Sequence, residues 1–194
     1  MSPMTSTDSS MQLCSEHVAN HMHACSDVRH CLYEYCSNVC LSLSFMQICP
    51  HPIYKVHTFH NLTQLELIFF GNNMDNIWCG KWKWMLKVLQ HSFKLQHLII
   101  HQEVEYVGID EAIWEDPQIV PQCLSSQLKT CLFRGCSGRK SELQFAEYVM
   151  QNSKVLRTMT VHGASSIDWN AKHEMIKKLA VCPRSSSSCK LIFD

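Results

Sequence analysis

One spacing recurs along this chain: an apolar residue, two others, an apolar residue, one other, an apolar residue. Leu62, Leu65 and Leu67 set it in LTQLELIFF; it returns at Leu95, Leu98 and Ile100 in LQHLIIHQ, and again at Leu128, Cys131 and Phe133 in LKTCLFRG. Both steps are 33 residues, and a step of 28 then reaches Leu156, Met159 and Val161 in LRTMTVHG. Weaker copies flank the series, at Leu41 and Leu43 upstream and at Cys189, Leu191 and Phe193 near the end. Self-similarity at such a period limits the fold more strongly than any local propensity does, because each unit is too small to bury its own apolar face and must stack on the next. Alternation within each copy is the mark of a half-buried strand, so six short strands are expected.

Helical patterns lie between the strands. In KWKWMLKVLQHSF, Trp82, Met85, Leu86, Leu89 and Phe93 fall on one face, which predicts a helix with Trp84 off the stripe and Lys81, Lys83 and Lys87 solvated. SELQFAEYVMQNS opens with Ser141 and Gln144 at capping-box spacing and carries Leu143, Ala146 and Met150 on one stripe. Asp168 is a good N-cap for DWNAKHEMIKKLAVC, where Trp169, Ile176, Leu179 and Ala180 are expected to face the core. The stretch after Trp114 has a short apolar piece broken by Pro117 and Pro121, and Trp114 is expected to pack beneath that turn. Strand, crossover, strand at this spacing predicts an α/β fold: a leucine-rich-repeat-like solenoid of parallel strands alternating with helices, with an irregular N-terminus.

Composition narrows the function. Seventeen basic and 17 acidic side chains give a formal charge of zero, which weighs against nucleic-acid or anionic-membrane binding. The start MSPMTSTDSSMQLCSE lacks the apolar core of a secretory signal, and no apolar run approaches the roughly 20 residues of a membrane helix. An intracellular protein, cytoplasmic or nuclear, is expected, and the 12 cysteines are then read as thiols that behave as small hydrophobes.

Chemistry finds little support. Cys14, His17, His21 and Cys25, with His23, His30, Cys31, Cys36 and Cys40 beyond, are zinc-ligand types, but their even scatter lacks the paired-ligand spacing of structural zinc sites; no metal and no cofactor are expected. GCSGRKS (residues 135–141) departs from a phosphate-binding loop, with Phe133 and Arg139 where a glycine and a lysine are needed, and reads as a turn in which Gly138 supplies backbone freedom and Ser141 caps the helix. No Gly-x-Ser-x-Gly, His-Glu-x-x-His or Gly-x-Gly-x-x-Gly motif occurs, so no enzyme is expected. Ser185 to Ser188 read as a flexible turn feeding the last strand.

The segment WEDPQIVPQCLSSQLKTCLFRGCSGRKSELQFAEYVMQNSKVLRTMTV resembles the FBD domain of plant F-box proteins, through Trp114, Pro117, Val120, Pro121, Cys123, Leu124, Leu128, Lys129, Gly138, Glu142, Leu143, Tyr148, Asn152, Leu156 and Met159. The tail CPRSSSSCKLIF is similar to that domain's closing strand, and FHNLTQLELIF and WKWMLKVLQHSFKLQHLIIHQ resemble the last leucine-rich-type repeats before it. The division expected is an irregular segment over 1–36, repeats over 37–110 and an FBD domain over 111–194. No F-box reads in residues 1–40. The resemblance implies a non-catalytic interaction module, like the substrate-recognition part of an SCF-type ubiquitin ligase receptor, that binds a target protein and meets a Skp-type adaptor only if an F-box lies upstream. Alternatives are a stand-alone binding module, a truncated non-functional product, or a small zinc-binding regulator. The expected partner-binding residues alternate with the core set on the strands: Thr63, Gln64 and Glu66; Gln96, His97 and Ile99; Lys129, Thr130 and Leu132; Arg157, Thr158 and Thr160.

Overall fold

The computed structural model describes residues 56, 58–70, 81–103, 114 and 117–194, and the backbone of 40–46. The expected irregular segment over 1–36, with its Cys/His cluster, lies outside the described residues. In chain order the elements are β1 (Cys40–Met46), β2 (Gln64–Phe70), α1 (Lys81–Gln90), β3 (His97–Glu103), α2 (Gln122–Ser126), β4 (Thr130–Cys136), α3 (Lys140–Asn152), β5 (Thr158–Gly163), α4 (Trp169–Ala180) and β6 (Lys190–Phe193). The six strands form one sheet in sequence order, every neighbouring pair parallel. This is the leucine-rich-repeat-like solenoid that the period predicts.

The register follows the repeat spacing. Leu65 stands opposite Leu98, Leu98 opposite Cys131, Cys131 opposite Met159, and Met159 opposite Leu191. The next inward row runs Leu67, Ile100, Phe133, Val161 and Phe193, and Leu41 and Leu43 of β1 pair with Leu65 and Leu67. Leu62, Leu95, Leu128 and Leu156, the first residue of each triplet, lie in the turn before the strand and are buried as completely as the strand residues. Fully burying a side chain of this size contributes about 1.5–3 kcal/mol, so each repeat is held chiefly by contacts with its neighbours.

A second recurrence escapes a search confined to apolar residues. Ser92, Ser153 and Ser186 are buried three residues ahead of Leu95, Leu156 and Cys189, and each serine carbonyl accepts the amide of that residue. The Ser92 hydroxyl also donates to the Val88 carbonyl at 2.7 Å, which closes the end of α1. A small side chain suits this tight, buried helix-to-strand turn, and at Ser153 the hydroxyl is buried without a hydrogen-bond partner. Nor are the terminal serines loose: Ser186 is buried and the Ser185 hydroxyl donates to the Gln151 carbonyl.

The helices depart from expectation in specific places. α1 buries Trp84 together with Trp82, Met85, Leu86, Val88 and Leu89, so Trp84 is core, not surface, while Phe93 lies past the helix end and is exposed. Trp82 stacks on Phe145 with ring centroids 4.9 Å apart, edge-on to Phe133. Trp114 packs against Trp82 of α1 and against Phe145 and Tyr148 of α3. α3 is capped by Glu142, whose carboxylate accepts the Arg139 amide at 3.2 Å, and Ser141 lies buried inside the helix. Asp168 caps α4 as expected, accepting the Ala171 amide at 2.7 Å. Yet α4 turns Met175 and Leu179 inward and leaves Trp169 76% exposed and Ala180 exposed.

The described cysteines Cys123, Cys131, Cys136, Cys182 and Cys189 are free and buried. Burial pushes the thiols of Cys123 and Cys131 up to about 12, which makes them packing residues rather than nucleophiles. Among the described residues no helix is long and apolar enough to cross a membrane, and no group of His, Cys, Asp and Glu is arranged to hold a metal ion.

Candidate partner-binding face of the sheet

With one side of the sheet buried against helices, the alternate residues of every strand point the other way. The parallel register gathers them into rows. Gln64, His97, Thr130, Thr158 and Lys190 form the first, and Glu66, Ile99, Leu132, Thr160 and Ile192 the second. Thr63, Gln96, Lys129 and Arg157 occupy the turn just before the first row. There the Thr63 carbonyl accepts the amides of Gln96 and His97, the Gln96 carbonyl those of Lys129 and Thr130, and the Lys129 carbonyl those of Arg157 and Thr158. All the strand-face residues expected from sequence therefore lie side by side.

Side-chain bonds run along the rows. The Lys129 ammonium donates to Gln96 Oε1 at 2.7 Å, and His97 Nδ1 shares a hydrogen bond with Thr130 Oγ1 at 2.8 Å. Partial burial of the His97 ring, with the Lys129 charge beside it, holds the imidazole below the usual histidine range. The folded state thus prefers neutral His97 more than the unfolded chain does. Its contribution is present above about pH 6.5, the unfolded value, and is lost as pH falls from there through the lowered folded value. Melting of His97→Gln is expected to drop less than wild type between about pH 7 and about pH 5; parallel pH dependence of the two proteins would refute this.

A third row extends the face beyond the residues expected from sequence. Ile68, His101 and Arg134 stand opposite one another on β2, β3 and β4. His101 Nε2 lies 2.9 Å from Glu66 Oε1 and 3.4 Å from Arg134 Nη1. A ring nitrogen donating to the carboxylate cannot at once accept from the guanidinium, so the shorter contact is the hydrogen bond. Alternation carried two residues past each triplet finds this row, and the pairing of β6 adds Lys190 and Ile192.

Behind the carboxyl ends of these strands runs a buried polar chain. Lys81, 5% exposed, donates to Gln102 Oε1 at 2.8 Å and sits 4.5 Å from the ring centroids of both Phe69 and Trp82. Gln102 Nε2 donates to Glu142 Oε1 at 2.6 Å. Glu142, 1% exposed, also accepts from the Ser137 amide at 2.9 Å and from the Ser137 hydroxyl. The expectation of a solvated Lys81 is overturned by partners 21 and 12 residues away along the chain, Gln102 and Phe69.

Thr130 and His97 resemble a nucleophile and base, but no third described group orients the His97 ring, and the pair is one rung of a strand-to-strand ladder. A broad row of aliphatic and hydroxyl side chains edged by cations and imidazoles lies along a leucine-rich-repeat-like sheet, and that repeat class is what the fold defines.

Comparison with known proteins agrees. Residues 115–161 match the family model of the FBD domain. An F-box/FBD/LRR-repeat protein of Arabidopsis thaliana is 35% identical over 161 residues, 81% of this chain and 35% of its own length. A putative FBD-associated F-box protein of the same plant is 35% identical over 75% of the chain and 32% of its own length, and a probable one is 30% identical over 74% and 32%. Over the FBD domain and adjoining repeats, the chain thus resembles the plant F-box/FBD/LRR-repeat proteins. It spans about a third of the length of these relatives. No solved structure matches it.

Proposed function

We propose that this chain is the target-recognition segment of an SCF-type ubiquitin ligase receptor, acting in the cytoplasm or nucleus and holding its target on the outward face of the sheet. Gln64, Glu66, Gln96, His97, Lys129, Thr130, Arg157 and Thr158 take part, with Ile99 and Leu132 as the apolar ground between them. The carrying observation is that four neighbouring strands in parallel register, β2 to β5, present these residues as unbroken rows while helices cover the opposite face. Extended repeat surfaces bind in this way. Residues 37–110 are taken as the repeats and 111–194 as the FBD domain, one continuous sheet shared by both. The relatives' names include an F-box; in a receptor of that build, the F-box meets a Skp-type adaptor and the sheet face meets the target.

In plant cells, raising the level of the protein should shorten the half-life of specific proteins in a proteasome-dependent way. Replacing Arg157 and Leu132 by Glu and Asp should abolish that effect while leaving the melting temperature within a few degrees. Unchanged turnover with bound protein still present would favour the stand-alone binding module. Unchanged turnover and binding in the variant would remove the face from the reading.

A further inference from the structure

The charge on the outward face is uneven, although the chain as a whole is neutral. The amino-terminal margin of the sheet consists of residues 58–64, 92–97, 127–130, 153–158 and 186–190, and none of these is Asp or Glu. The same margin carries Lys94, Lys129, Lys154, Arg157 and Lys190. Main-chain bonds place three of them strand next to strand: the Lys129 carbonyl accepts from Arg157, and the Arg157 carbonyl from Lys190. Adjacent strands are about 4.8 Å apart, so these charges repel one another with no described carboxylate between them. Glu66 is engaged with His101, and Asp194 lies at the opposite end of its strand, near His162. In the sequence, acidic residues collect instead over 103–116, in Glu103, Glu105, Asp110, Glu111, Glu115 and Asp116.

Beside this cationic margin runs an aliphatic row. Leu132, Thr160 and Ile192 are in register on β4, β5 and β6, and Ile192 is 45% exposed. On the proposed reading of the face, we infer that its occupant is an extended acidic segment of the target protein. Its carboxylates lie against Lys129, Arg157 and Lys190, and an aliphatic side chain covers Leu132, Thr160 and Ile192. A segment crossing the strands meets cations and apolar groups in two parallel rows, so charge sets where it lands and the aliphatic contact sets its register. A basic target is disfavoured by the same margin, which gives the receptor discrimination by repulsion as well as attraction.

The test uses the whole chain and a short fluorescent peptide with aspartates flanking a central leucine. Compared with its asparagine counterpart, the aspartate peptide should bind about tenfold tighter at low salt, and the advantage should shrink as salt is raised. Arg157→Glu/Lys190→Glu, both side chains exposed, should remove that advantage without shifting the melting temperature. Ile192→Thr should weaken both peptides about threefold, the loss expected from uncovering part of one side chain. Equal affinity for the aspartate and asparagine peptides, or an unaffected double charge variant, would overturn the inference. So would oligothymidylate binding as tightly as the peptide, since that marks generic attraction for polyanions. Should the peptide fail while face substitutions still abolish target turnover in cells, the acidic occupant falls and the receptor reading stands. A peptide that binds as described beside unaltered turnover gives the reverse.

Discussion

Replacing Glu142 with leucine should cost about 3–5 kcal/mol and lower the melting temperature by roughly 10–15 °C, a larger effect than any substitution on the outward face. The carboxylate is 1% exposed and receives the Ser137 amide at 2.9 Å, the Ser137 hydroxyl, the Arg139 amide at 3.2 Å and the Gln102 side chain at 2.6 Å. Leucine fills most of the volume but leaves those donors buried without this acceptor, at about 1–3 kcal/mol for each one that cannot turn elsewhere. It also withdraws the negative charge that Lys81 faces through Gln102, so a buried ammonium loses part of its compensation. Glu142→Gln should cost less, about 2–3 kcal/mol, because one acceptor oxygen survives while an amide group is turned against donors. Adding Lys81→Met to Glu142→Leu should recover part of the loss, giving a coupling energy of about 1–2 kcal/mol in a double-mutant cycle. Chemical denaturation of the four proteins reads this directly. A loss below about 1 kcal/mol for Glu142→Leu would show that the network is a passenger of the fold.

That network also marks where sequence reading stops. The triplets beginning at Leu62, Leu95, Leu128 and Leu156 announce the sheet because the requirement behind them is local and repeated: each strand buries one side, whatever its neighbours are. Once strands of that spacing stack in parallel, the outward rows through His97 and Thr130 follow from alternation alone. Helix exposure obeys a different rule. α1 has repeats on both flanks and buries nearly its whole circumference, Trp84 included. α4 lies beside the last strand and has less to pack against, so two side chains, Met175 and Leu179, suffice and Trp169 stays in water. Spacing along a helix identifies a stripe, but only the neighbours decide how wide the buried arc becomes. Lys81 and Glu142 carry no local sign of burial at all, because the link between them, Gln102, lies 21 residues from one and 40 from the other. The buried serines Ser92, Ser153 and Ser186, ahead of Leu95, Leu156 and Cys189, were legible in principle, as a polar residue recurring at some of the repeats.

Gly135→Ala carries the second large effect, expected at about 2–5 kcal/mol, and it arises from the same corner of the molecule. The register between β4 and β5 shifts between Phe133 and Cys136, and Gly135 sits in that irregularity with φ +70°. An added Cβ would stand 1.9 Å from the carbonyl oxygen of Gln102 and 3.0 Å from its carbon. Left-handed backbone alone costs an alanine about 1–2 kcal/mol. The rest comes from the clash, which is with backbone of β3 and cannot be relieved by rotating a side chain. Gly138 is the internal control: its φ is +77°, but the nearest atom to an added Cβ is Met175 Cβ at 3.7 Å, an ordinary contact. Gly138→Ala should therefore cost only the conformational part, about 1–2 kcal/mol. The difference between the two variants isolates the close approach of β4 to β3. Any retreat of Gln102 from the new methyl group also draws its side chain away from Lys81 and Glu142, so Gly135→Ala and Glu142→Leu should be markedly non-additive, with the second loss smaller in the background of the first. Strict additivity, or equal costs at Gly135 and Gly138, would mean that β3 yields freely at Gln102 and that the strand ends are not held by the buried chain behind them.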